Sequence, residues 1–353
     1  MTKNRKEATT VAFKDKSSES SLTAQGWYDK GERIPYDYKN NNVLAQDSAV
    51  DHENGLYVFR RVTSQSERRA DASLTTFLPG FPDGSFGFAP IDRLLPDEQR
   101  MPRLYVEYIG QGDSDKPAGY PYSVMDRADQ VEAHWRALNI KSTFVVAFDY
   151  SVIVMLELLS RQQDCVARGE APVTKIEGVL LINGGLFADG HSHPWFTTPL
   201  LKTPFGRIGT WLAQRSRFVF GELVSSLWSK EYNVKKQEVD EMFDAITRRN
   251  GARFLSDSAG FVGEHKKTAK RWNLKRIYHK MKHQVSFHIV GSDKDVFEGN
   301  QTILAKKRLG KEGLDIRVLP SGHLSTSEQS EQLAAIIFEL IESRQNARVA
   351  LHA

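Results

Sequence analysis

Short apolar runs rich in β-branched and aromatic residues recur along the chain, and Gly, Pro or polar residues close each of them. That is the pattern of strands ending in turns. Gly26 to Asp37 and Leu56 to Thr63 come first, separated by the polar stretch around Asn40-Asn41-Asn42. Leu74 to Leu78 runs into Pro79-Gly80-Phe81-Pro82-Asp83-Gly84, and Arg103 to Ile109 runs into Gly110-Gln111-Gly112-Asp113. Val124 to Leu138 then repeats its apolar positions at helical spacing. Thr143 to Phe148, Ile176 to Ile182, Val285 to Val290 and Leu314 to Leu319 complete the strand set, and Ser327 to Ser343 reads as a closing helix. Alternating strands and helices predict a mostly parallel, doubly wound α/β sheet. From Leu186 to about His283 no strand pattern convinces, while helical patterns recur around Trp195, Trp211, Trp228 and Trp272. This stretch reads as a helical cap inserted over one edge of the sheet. The expected division is a leader at 1–25, a core at 26–186 and 284–353, and a cap at 187–283.

The chain pivots on Thr143 to Leu159, where the strand run passes directly into a helical one. Leu, Met and Glu take over from β-branched residues after Ser151. At the junction lies Ala147-x-Asp149-x-Ser151, a reactive side chain between small residues. A strand that turns sharply into a helix strains its central residue, and small neighbours let the two elements pass closely. Asp stands where the usual nucleophile elbow has Ser. The plainer reading is a strand–helix junction with a capping Asp.

Composition excludes more than it assigns. A chain of 353 residues is long enough for one large α/β domain with an insertion. A formal net charge of +4 gives no global field that calls for nucleic acid. The single cysteine, Cys165, excludes an internal disulfide framework and fits a reducing compartment. No apolar run approaches the roughly 20 residues that span a bilayer. Met1 to Leu22 carries five basic residues but no apolar secretory core, and Glu7, Asp15 and Glu19 argue against a transit peptide. A cytoplasmic location is expected.

Five stretches in order carry a family resemblance: Leu-Pro-Gly-Phe-Pro (78–82), Gly-Gln-Gly-Asp-Ser-Asp-Lys-Pro (110–117), Asp-Tyr-Ser-Val-Ile-Val (149–154), Asn-Gly-Gly-Leu-Phe (183–187) and His-Lys-Lys-Thr-Ala-Lys-Arg-Trp (265–272). From about Gly26 to the C-terminus the chain resembles the α/β-hydrolase superfamily. Within it, the chain is similar to the branch with an Asp nucleophile, the epoxide hydrolases and haloalkane dehalogenases, and to the mesoderm-specific-transcript-like hydrolases. The resemblance implies Asp149 as nucleophile, His323 as the base that activates water, and Asp295 as the acid that orients it, with Asp293 second. It implies an oxyanion hole from the N–H groups of Phe81 and Tyr150, and a cap tyrosine, Tyr232 ahead of Tyr278, as proton donor. Trp195 and Phe148 are candidates to line the substrate pocket. Phe148 and Pro79 stand where the family usually has histidine.

The implied reaction is two-step hydrolysis of a small apolar electrophile, an epoxide first and a haloalkane second. The rival class is a silent binding protein on the same fold. No cofactor or metal is expected, and the protein is expected as a monomer or homodimer without a nucleic-acid partner. Asp189, His191 and His193 invite a metal reading, but two histidines in a Gly/Pro-flanked loop fall short of three convergent ligands. His279 and His283 lack the Glu of the zinc-protease signature. Lys266 to Lys282 holds eight basic residues in seventeen. The plain reading is a solvated cap helix, and the sharper one is peripheral contact with anionic lipid.

Overall fold

The computed structural model describes residues 23–44, 55–63, 74–82, 84–97, 100–191, 211–249, 251 and 260–352. A nine-stranded sheet runs through it in the order β2-β1-β3-β5-β4-β6-β7-β8-β9. Its strands are β1 (Glu32–Asp37), β2 (Asn42–Val43), β3 (Gly55–Val62), β4 (Leu74–Leu78), β5 (Arg103–Val106), β6 (Ser142–Phe148), β7 (Lys175–Ile182), β8 (Ser286–Ser292) and β9 (Asp315–Leu319). The first three pair antiparallel. From β5 through β9 every pairing is parallel. The central strands β4 and β6 are buried nearly throughout, as befits parallel strands covered on both faces.

Helices α1 (Ala24–Tyr28), α2 (Ala89–Asp92), α3 (Val124–Ala137) and α4 (Ser151–Arg168) belong to the first half. Between β7 and β8 lie α5 (Arg217–Val224), α6 (Lys236–Thr247), α7 (Phe261–Lys267) and α8 (Leu274–Met281), and no strand occurs there among the described residues. After β8 come α9 (Gly299–Leu309), α10 (Ser325–Glu328) and α11 (Ser330–His352). None of the described helices is long and apolar enough to cross a membrane.

Two local readings need correction. Gly26 to Asp37 is not one strand: α1 occupies its start, with Thr23 as N-cap accepting from the Gly26 N–H at 3.0 Å. Trp27 and Tyr28 are buried, and their aromatic character mimics a strand. The separating Asn40-Asn41-Asn42 stretch is also not wholly outside the sheet, because Asn42 begins the short β2 and pairs with Asp37 across a turn.

Helix α8 shows how the insertion is tied to the body. Leu274, Ile277, Tyr278 and Met281 recur at helical spacing and are buried in the main core with α4 residues, while Lys275, Arg276 and Lys280 face solvent. Just before α8, Arg271 and Trp272 converge on Glu157 of α4. The Glu157 carboxylate, 1% exposed, accepts from Arg271 Nε at 2.7 Å, Trp272 Nε1 at 2.6 Å and Arg161 Nε at 2.9 Å. Burial alone would raise its pKa, but these donors outweigh burial and hold it below the ordinary 4.5. A lowered carboxylate pKa contributes stability that is present above pH 4.5 and lost as pH falls through the folded value. Glu157→Gln is expected to cost about 3 kcal/mol, since it removes the buried charge on which the Trp272 N–H and two half-buried arginines converge. Urea denaturation at pH 7 checks the magnitude, and the cost should shrink below pH 4. An equal cost at both pH values would contradict the charge-based account.

Candidate functional site

The strand order reverses around β4, with β5 on one side and β6 on the other, and in open α/β sheets the carboxyl ends of the strands at such a point are where ligands bind. Asp149 stands at that point, between β6 and α4. Its φ is +54°, a left-handed conformation that costs an ordinary L-residue about 1–2 kcal/mol. The turn is fixed from both sides: the Asp149 N–H donates to the Ile182 carbonyl at 2.9 Å, and the Asp149 carbonyl accepts from Val152 N–H at 3.0 Å. Two glycines make room. A Cβ on Gly80 would run into the Phe148 ring and the Asp149 side chain. A Cβ on Gly184 would overlap the Asp149 carbonyl and Val152.

The Asp149 carboxylate has two neighbours of different kinds. Oδ2 accepts from the Phe81 backbone N–H at 2.9 Å, and Oδ1 lies 3.3 Å from His323 Nε2. On its far side, His323 Nδ1 meets Asp295 Oδ2 at 3.0 Å. Asp295 Oδ1 is held in turn by the N–H groups of Phe297 at 2.8 Å and Glu298 at 3.1 Å. A carboxylate, an imidazole and a second carboxylate thus form one buried row. Asp293, the second choice for the acid, is exposed instead. Burial lowers the pKa of His323, but Asp295 and Asp149 together push it well above 6.5. Burial raises that of Asp295, and His323 with the two N–H donors brings it below 3.8.

The loop that supplies the Phe81 N–H is braced from beneath. Glu107, fully buried, accepts from the Ser85 N–H and the Tyr28 hydroxyl, both at 3.0 Å, and from the Asp113 N–H at 2.9 Å. Gln111 Nε2 donates to the Gly80 carbonyl at 2.8 Å. Gly84 and Gly112 both have positive φ and pass against the Glu107 carboxylate, where a Cβ would not fit. The Gly-Gln-Gly-Asp-Ser stretch is therefore a support for the loop after β4. Ser151 donates to the Pro79 carbonyl and pairs with the Tyr108 hydroxyl at 3.0 Å, pinning the same loop to α4.

Asn183, just after β7, also has positive φ and was not singled out from the sequence beyond its motif. Its Nδ2 donates to the His323 carbonyl and to Ser292 Oγ, both at 2.8 Å, joining the loops that carry His323 and Asp295. Asn183→Leu is expected to slow any step that uses His323 by about a hundredfold, the scale of a misplaced catalytic group. Rapid-quench measurement of each half-reaction checks this, and unchanged rates would count against the bracing role.

Other candidates fall in different places. Phe148 is buried with its ring 5.7 Å from the His323 ring. Tyr150 is buried, its ring 5.5 Å from Phe261 of the insertion and 4.5 Å beneath the Arg127 guanidinium. Tyr232 does not join the row around His323: its hydroxyl donates to Glu238 Oε1 at 2.6 Å. Tyr278 donates to the Glu312 carbonyl, away from the site. Trp228 and Trp272 are buried, and Trp211 is exposed. Trp195 and His193 lie outside the described residues. Asp189 pairs with Arg308, and His191 is engaged by Glu298 and His265. Among the described residues no group of three His, Cys, Asp or Glu side chains is arranged to hold a metal. A cavity of about 470 Å³ lies between Trp228, Ser229 and Glu231 of the insertion and Lys294 and Val296, which flank Asp295.

No family model matches the chain. The human mesoderm-specific transcript homolog protein is 27% identical over 203 residues, which cover 56% of this chain and 58% of that protein. The chain thus spans a little over half the length of that relative. Among solved structures, the haloalkane dehalogenase DbeA from Bradyrhizobium elkani superposes with a TM-score of 0.60 at 19% identity, over 85% of this chain and 98% of its own. An esterase from Thermogutta terrifontis reaches 0.59 at 13% identity, over 88% and 98%. Both neighbours are matched almost end to end. This is the α/β-hydrolase fold. The turn after β6, the loop after β4 and the loop after β9 meet at one edge of this sheet, where they bring Asp149, Phe81 and His323 together.

Proposed function

We propose that the protein is a hydrolase in which Asp149 attacks carbon to form an alkyl ester, and His323, oriented by Asp295, activates the water that cleaves it. One observation carries this reading: the Asp149 carboxylate sits at a strained elbow with one oxygen on the Phe81 N–H and the other facing His323. The oxygen held by Phe81 is the one that would carry negative charge when water adds to the ester. The oxygen facing His323, at the longer distance of 3.3 Å, would be the one that bonds to substrate, giving up its contact with the imidazole.

A carboxylate at the elbow selects the substrate class. Attack on an ester carbonyl would give an anhydride, a product more reactive than its precursor. Attack on a saturated, electrophilic carbon gives a stable ester and needs no base. This favours an epoxide or alkyl halide over a carboxylic ester.

The charges suggest how one histidine serves the second step only. In the resting site burial lowers the His323 pKa, but Asp295 and Asp149 together hold it well above its ordinary value, which favours the imidazolium. Ester formation neutralises Asp149 and removes one of those carboxylates. The imidazole then loses its proton more readily and becomes a base for water when the ester is waiting. Ester formation should therefore vary little with pH between 6 and 8, while ester hydrolysis should rise with pH over the same range. Rapid-quench kinetics checks this, and a hydrolysis step that slows as pH rises would contradict it.

Among alkyl electrophiles, epoxides are favoured because the side chains of Tyr150 and Phe81 offer no N–H to a departing halide. An epoxide needs an O–H donor for its alkoxide. Tyr232 can serve only by turning its hydroxyl from Glu238 to the substrate. If it does, Tyr232→Phe slows ester formation tenfold or more, at the low end of what general acids contribute, about 10²–10⁴-fold. An unchanged rate assigns the proton to another donor. The reading as a whole is tested by a panel of epoxides, haloalkanes and aryl esters. Diol formation is the expected result, and halide release without diol from any epoxide would replace it with the dehalogenase reading.

A further inference from the structure

We propose that Glu298, His191 and His265 form a buried clamp that positions Asp295, making His191 and Glu298 positioning residues for the step in which His323 activates water. The clamp deepens the reading of His323 as base and rests on it.

The geometry is a second polar row, outside the first. His191 Nδ1 lies 2.9 Å from Glu298 Oε1, and His191 Nε2 lies 2.9 Å from His265 Nδ1. Glu298 is 4% exposed and His265 is fully buried, and the His191 side chain is 1% exposed. A carboxylate only accepts, so His191 Nδ1–H donates to Glu298, and the two rings share one proton between His191 Nε2 and His265 Nδ1. Burial first, and then His191 beside it, lower the His265 pKa to about 4, in keeping with a neutral ring.

Three elements that build the site meet in this row. Glu298 belongs to the loop of Asp295: its backbone N–H donates to Asp295 Oδ1 at 3.1 Å while its side chain grips His191. Glu298 Oε2 also accepts from Gln301 Nε2 at 3.1 Å. Gln301 in turn binds the N–H of Phe187 at 2.9 Å and its carbonyl at 3.1 Å. His191 lies against Gly185, whose missing Cβ leaves room for the ring, and the neighbouring Gly184 packs on the Asp149 carbonyl. His265 belongs to α7, the insertion helix whose Phe261 meets Tyr150 beside the nucleophile.

A carboxylate and two imidazoles in an apolar interior are costly, and an apolar cluster of the same shape would be as stable or more so. A buried hydrogen-bonded row instead fixes one geometry. Here that geometry is the direction of the Glu298 N–H toward Asp295, and so of Asp295 toward His323. The other charged groups nearby are already paired: Asp189 with Arg308, and Glu264 with the Val124 N–H.

The test compares His191→Leu, which removes the donor, with His191→Gln, which keeps one N–H. The downfield proton resonance of His323 Nδ1–H reports its titration without any substrate. In His191→Leu the apparent pKa of His323 should fall by about one unit as Asp295 loosens. Ester hydrolysis should slow about tenfold or more, while ester formation stays within about twofold. His191→Gln should lie closer to wild type in both readouts. An unchanged His323 titration in a folded His191→Leu, or equal slowing of both half-reactions, would overturn the clamp. Should His191→Leu fail to fold, Glu298→Gln decides by the same readouts. If wild type forms no ester at all, the hydrolase reading fails, and the resonance still decides the clamp.

Discussion

Asp149→Asn is expected to reduce epoxide turnover by about 10⁴-fold or more, the scale seen when a covalent nucleophile is lost. The fold should survive, for reasons that lie in the elbow itself. Asn tolerates the left-handed conformation as well as Asp does, so the φ of +54° at this position need not change. The amide oxygen can still accept from the Phe81 N–H, which now donates at 2.9 Å. What disappears is the charge, and with it the nucleophile. His323 should respond too, because one of the two carboxylates that raise its pKa is gone. Its titration in Asp149→Asn should fall toward the ordinary 6.5 or below, a change visible without substrate. Slow deamidation would restore Asp, so intact mass must accompany the rate assay. A variant with its amide intact and wild-type turnover would remove Asp149 from the mechanism.

His323→Gln should separate the two chemical steps. Ester formation uses the carboxylate, the electrophile and an O–H donor other than His323, so it should continue. Ester cleavage needs a base at the Nε2 position, and its loss should slow cleavage by about 10²–10⁴-fold. Protein exposed to an epoxide should then carry a stable added mass on the peptide that contains Asp149. Asp295→Asn should give the same accumulation more weakly, since His323 keeps its place through the loop while losing its 3.0 Å partner. Adduct on another residue, or parallel loss of both steps, would count against the assignment of His323 as base.

Which parts of this site can be read from the chain alone follows from how local each feature is. The elbow is written in five consecutive residues, because the strand–helix junction imposes its own demand for small neighbours on Asp149. The parallel sheet is legible for a similar reason, as buried strands such as β6 are continuous apolar runs. The choice between Asp293 and Asp295 was open because both follow the same strand. Their fates differ through the β8–β9 pairing: the Asp293 and Lys294 N–H groups bond to Leu319 and Ser321, and the next residue turns inward to His323. Tyr232 shows the opposite limit, since its hydroxyl is taken by Glu238 six residues later, a competition that spacing alone does not reveal. The clamp is the least legible part. His191 and Glu298 are 107 residues apart, and nothing in either segment announces the other. In the sequence His191 reads only as half of an incomplete metal pattern, and the fold gives it a carboxylate and a second imidazole instead.

The central claim is that substrate carbon bonds to the Asp149 carboxylate. A single turnover in water enriched in heavy oxygen, with enzyme in excess over epoxide, tests it directly. The first diol should take its new oxygen from the enzyme and carry no label. The label should appear in the Asp149 carboxylate, on the peptide that holds Tyr150 and Ser151. Label in the first diol, with none in Asp149, would show water attacking the substrate directly and would contradict the ester mechanism.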